Sequence, residues 1–122
     1  MNTLRPTCTW PHTVAACAAL VEYDEALRPL LSLTRFLATS RYAGSIVPRF
    51  SGGVLTLVRT PDAPAGQNEL QIRFDPASRQ FHFTYQQRPD DPRPWSRECD
   101  AQEGQAVLER IFHKRLHWFH EG

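Results

Sequence analysis

The chain has 122 residues, 41% hydrophobic and 22% charged, with 14 basic against 13 acidic residues and a formal net charge of +1. That length suits one domain with a core that needs no disulfide or metal staple. The charge balance gives no case for nucleic acid or an anionic membrane as partner, and it argues against an acidic mimic of a nucleic-acid backbone.

Cys8, Cys17 and Cys99 are odd in number and widely spaced, with no CxxC. A disulfide framework or zinc site does not follow from that pattern, and a reducing compartment fits it best. The first residues, MNTLRPTCTWPHT, lack the apolar run of a secretory signal. Nowhere do about 18 apolar residues run together, as a membrane span requires. The expectation is a cytoplasmic protein without cofactor.

Residues 1–11 read as irregular, with Pro6 and Pro11 bracketing Trp10. Residues 12–27 read as a helix opened by Pro11 or His12, because Val14, Cys17, Ala18 and Val21 recur at helical spacing in an alanine-rich run. Pro29 interrupts it, as a kink or as the first-turn residue of a second helix. That second helix, Leu30–Tyr42, carries Leu30, Leu33 and Leu37 on one stripe, and Gly44 is its stop. The helical region therefore spans 12–43.

Ser51, Gly52 and Gly53 make a turn, and the sheet is expected over 53–86. Val54–Val58 is a short apolar run that suits a central strand. Pro61, Pro64 and Gly66 mark a loop. Leu70, Ile72 and Phe74 then alternate with Gln71 and Arg73, and Phe81, Phe83 and Tyr85 alternate with His82 and Thr84. Between them, Asp75-Pro76 suits the start of a type I turn. Residues 87–99 hold Pro89, Pro92 and Pro94 and are read as a proline-rich loop. The last helix is expected over 100–119, with Asp100 and Glu103 as a capping box. Val107, Leu108, Ile111, Phe112, Leu116 and Phe119 form its apolar stripe. Strands grouped between helices predict an α+β fold: a three-stranded antiparallel sheet with an N-terminal helical pair and a C-terminal amphipathic helix. Helices on one sheet face would leave the other face for a partner.

Among chemical candidates, His113, His117 and His120 share one helical face, and histidines four apart can hold a metal. Arg110, Lys114 and Arg115 around them disfavour a dication, and there is no HExxH. Cys99 lies between Glu98 and Asp100, which disfavour a thiolate nucleophile. Asp90 and Asp91 can bind a cation, or they can make a solvated turn with Arg88 and Arg93. Ser51-Gly52-Gly53 precedes a strand and lacks the phosphate-loop pattern. Arg73, His82, Arg88, Arg93, Trp95 and Arg97 mix basic and aromatic character, as an RNA-binding sheet does. The hairpin aromatics share a face with Leu70 and Ile72, however, and that face reads as core. Trp95 has two readings. It tucks under the last helix, or it anchors a protein interface, where tryptophan and arginine dominate.

The run LQIRFDPASRQFHFTY, then RPDDPRPWSREC, then DAQEGQAVLERIFHKRLHWF, resembles small α+β immunity proteins of bacterial polymorphic and type VI secretion toxins. The resemblance runs over residues 70–119. It implies a non-enzymatic protein that neutralises a cognate toxin by direct binding. On that reading Arg73, His82, Arg88, Asp90, Asp91, Arg93, Trp95 and Arg97 are the candidate contact residues. The alternatives are a secretion chaperone or adaptor, or a small metal- or RNA-binding protein.

Overall fold

The computed structural model describes residues 9–59, 68–116 and 118. The fold is α+β, and its sheet has five antiparallel strands in chain order, not three. Helix α1 spans Trp10–Tyr23 and α2 spans Arg28–Ala38. The strands are β1 (Val47–Ser51), β2 (Val54–Val58), β3 (Glu69–Asp75), β4 (Gln80–Gln86) and β5 (Trp95–Asp100). Helix α3 spans Gly104–Arg110 and runs into a π-helical turn, Ile111–Arg115.

The helix ends follow local hydrogen bonding. Thr9 caps α1, its hydroxyl accepting from the His12 amide at 3.3 Å, so the helix opens before Pro11. Asp24 stops it short of residue 27 and caps a single 3-10 turn by accepting from the Ala26 amide at 3.1 Å. Pro29 lies in the first turn of α2, where its missing N–H has no intrahelical partner to lose. The Ser40 hydroxyl donates to the Leu37 carbonyl at 2.8 Å, satisfying one of the orphan acceptors where α2 ends short of Tyr42.

The two strands missing from the sequence reading are the edges. Pro48 sits in β1, which has a neighbour on one side only, so its absent N–H costs the ladder nothing there. Gly52 and Gly53 take φ of 59° and 81°, the left-handed values that a two-residue hairpin turn needs, and they pair Ser51 with Val54. At the other edge, the prolines end at Pro94, and the six residues after it pair with β4. The proline loop is therefore shorter than 87–99.

Between β3 and β4, Asp75 holds the turn through the Ala77 amide (3.0 Å) and the Ser78 hydroxyl (3.1 Å), and Arg79 closes it at φ 56°. The expected capping box does not form. Asp100 is still the last residue of β5, and its side chain makes no cap bond. Gly104 opens α3 against Phe81, where a Cβ would lie 2.5 Å from the ring.

All three helices pack on one sheet face. Leu55, Leu57, Leu70, Ile72, Phe81 and Phe83 form one cluster with Cys17 and Val21 of α1, Leu30, Leu33 and Leu37 of α2, and Val107, Leu108, Ile111 and Phe112. Phe74 and Phe81 meet edge to face, ring centroids 5.0 Å apart, a contact that contributes about 0.5–1.5 kcal/mol beyond burial. Thr34 is fully buried, and its hydroxyl donates to the Leu30 carbonyl at 2.8 Å. The opposite sheet face carries Thr56, Gln71, Arg73, His82, Thr84, Ser96 and Glu98 by strand alternation. At one end of that face Val58 and Glu69 are buried.

Candidate functional site

Strand β5 sets the site. Its alternation sends Trp95, Arg97 and Cys99 to the helix side, opposite Tyr85, Phe83 and Phe81 of β4. Ser96 and Glu98 go to the other side. The candidate contact residues are therefore divided between two faces. Trp95 and Arg97 belong to one, and Arg73 and His82 belong to the other, with His82 Nδ1 3.2 Å from a Glu98 carboxylate oxygen. A flat partner on either face meets one group and not the other.

Trp95 lies half-buried against the margin of the core. The π-helical turn brings Arg115 back over it, with the guanidinium 5.2 Å from the ring centroid. The Leu116 amide donates to the Ile111 carbonyl at 2.8 Å, the wide spacing that turns Arg115 toward the sheet edge. Tyr85 stands beside Trp95. Its hydroxyl donates to Asn68 Oδ1 at 2.8 Å, and burial pushes its pKa up. Together with Gln87, Asp91 and Arg93, these residues line a concavity of about 350 Å³.

The loop before β5 is held by Asp91. Its carboxylate accepts from the Arg93 amide at 3.0 Å and the Gln87 amide at 3.2 Å. Those bonds, the Arg93 amide first, hold its carboxyl below the usual aspartate range. Asp90 points elsewhere, in an exposed ion pair with Arg88 at 3.2 Å. The two aspartates thus do not converge on one site: Asp91 shapes the turn, and Asp90 neutralises Arg88. Among the described residues, the Arg93 and Arg115 guanidinium groups have no carboxylate partner.

His113 is tied into the fold. Its Nε2 lies 3.0 Å from the Tyr42 hydroxyl and 3.1 Å from the Arg41 guanidinium. Arginine only donates, so Nε2 accepts there. The Tyr42 hydroxyl donates to Glu109 at 3.0 Å, and burial raises its pKa. This cluster fastens the segment after α2 to the C-terminal helix, and it had no signal in the sequence because Tyr42 and His113 lie 71 positions apart. His117 and His120 fall outside the described residues, as does Cys8. No group of three metal-ligating side chains occurs among the described residues. Cys17 and Cys99 are buried free thiols, and burial raises the pKa of each.

A second, apolar cleft of about 810 Å³ lies at the opposite end of the sheet, between α1 and the β1–β2 turn, with Arg73 at its margin. No described helix is long and apolar enough to cross a membrane. No protein-family model matches the chain, and searches of curated proteins and of solved structures gave no significant similarity.

Proposed function

We propose that this chain is a non-enzymatic binding protein that acts by occupying a surface of another protein, and that its specific role is immunity against a bacterial toxin of the polymorphic or type VI class. The supporting observation is Trp95, stacked on Arg115 with Arg93 beside it, at the edge of a rigid sheet. Tryptophan, tyrosine and arginine supply most of the energy at protein interfaces when they sit in preformed pockets. Here the pocket is preformed by strand pairing on one side and by the Asp91 turn on the other, which lowers the entropy lost on binding. The strand, proline turn and helix that frame it are the segment with the immunity-protein resemblance.

Neutralisation needs a tight, specific interface of about 1,600 Å² in total, and no turnover. The protein would cover its toxin's active site or block a motion that the toxin needs. Three widely spaced cysteines without a CxxC suit action in a reducing compartment such as the cytoplasm. The test is co-expression. The protein should restore growth to cells making a toxic partner recovered with it by pull-down, and Trp95→Ala should rescue less well at equal protein level. Full rescue by that variant would move the interface elsewhere; no rescue by the native chain would end the immunity reading.

A further inference from the structure

We infer that the Trp95 concavity is a carboxylate-binding pocket that takes an aspartate or glutamate side chain from an acidic segment of the partner. The inference rests on the partner-binding reading and adds the chemistry of what is bound.

Two arginines, Arg93 and Arg115, line the same small concavity, and neither has a carboxylate partner among the described residues. Arg115 lies over the Trp95 ring, which offers it a fixed resting place while leaving its N–H donors to a ligand. Planar arginine donors match a carboxylate in paired hydrogen bonds. Gln87 adds a neutral polar residue to the lining.

Asp91 decides which anion fits. It lies in the same wall, and its backbone donors keep it ionised. Two arginines and one aspartate leave a single positive charge, which a monoanion neutralises. A doubly charged phosphate would overcompensate and face the Asp91 carboxylate. The pocket is also small and lies at a strand edge, where one side chain of a passing segment can enter.

The experiment is an NMR titration of the full chain with a blocked Gly-Glu-Asp-Glu-Gly peptide, its Gln-Asn-Gln counterpart, and inorganic phosphate. The reporter is the Trp95 indole N–H, assigned by its loss in Trp95→Phe. The acidic peptide should move that signal saturably, more tightly than either control, and weaken with added salt. Arg93→Gln and Arg115→Gln, both exposed positions, should each lower affinity about tenfold or more while leaving the remaining spectrum unchanged. No Trp95 response by about 10 mM acidic peptide, equal binding of the neutral peptide, or equal or tighter binding of phosphate would each overturn the assignment. A toxin that binds the native chain and the double arginine variant equally would sink the pocket and spare the immunity reading. A pocket that takes the acidic peptide in a chain unable to protect any cell would do the reverse.

Discussion

The guanidinium of Arg115 rests 5.2 Å from the centre of the Trp95 ring, joining the end of the C-terminal helical segment to the first residue of the edge strand. In this arrangement Trp95 faces two ways. Its inner side packs on the core margin, and its outer side carries the arginine. Truncation to alanine should therefore cost about 1–2 kcal/mol in urea unfolding, roughly half the transfer cost of a fully buried aromatic. Loss of about 4 kcal/mol would make it a core residue, and no loss would make it a bare surface ring.

Gly104 tests the packing of α3. In an exposed helix, Gly→Ala stabilises by about 1 kcal/mol. Here the new methyl would lie 2.5 Å from the Phe81 ring, which is itself 1% exposed. Gly104→Ala should destabilise by about 1–3 kcal/mol through overpacking. A rise in the thermal midpoint would contradict the placement of α3 on β4.

The core has its own check. Phe83 and Phe112 are fully buried, Phe83 between Ile72 and Arg97 in the ladder and Phe112 4.9 Å from the Tyr42 ring. Alanine at either should cost about 3–5 kcal/mol. A loss under about 1 kcal/mol at Phe112 would remove the C-terminal helix from the core.

Tyr42 anchors the polar cluster beside that core. Tyr42→Phe keeps the ring and removes the hydroxyl that reaches Glu109 and His113. Stability should fall by about 0.5–1.5 kcal/mol, because the partners lose a part-buried bond. An unchanged unfolding midpoint would mean that the cluster is replaced by water without loss.

Asp91 gives a pH signature. Its folded pKa is lowered, so the stability it contributes is fully present above the unfolded-state pKa and is lost as pH falls through the lower folded value. Its carboxyl resonance should titrate below that of the same aspartate in a free peptide of residues 87–93. Equal midpoints would show that the two backbone donors are not holding it.

The paired strands β3 and β4 were legible because Leu70, Ile72 and Phe74 alternate without interruption, as do Phe81, Phe83 and Tyr85. The helices were legible from apolar residues at helical spacing, Val14, Cys17 and Val21 in α1, Leu30, Leu33 and Leu37 in α2, and Val107, Leu108 and Ile111 in the last, although α3 itself spans only Gly104–Arg110 of the expected 100–119. The edge strands were not, since Pro48 and Pro94 obscure them, and a proline is tolerated only where one side of the ladder is empty. The capping box at Asp100 had the right residue types. Asp100 instead ends β5 and leads into a 3-10 turn, Ala101–Glu103, without a side-chain cap bond, and α3 follows at Gly104. Of the contact candidates, Trp95 and Arg93 come together, whereas Arg73 and His82 are carried to the other face by alternation. Arg115 was missed because only the π-helical turn brings it across.

The most direct test of the proposed role is a pull-down from the native host, followed by calorimetry with the toxic partner recovered. The native chain should form a one-to-one complex in the nanomolar range, and Trp95→Ala should weaken it by about a hundredfold, as loss of an interface anchor does. A native chain that shows no binding, or that turns over a small substrate by itself, would contradict the account.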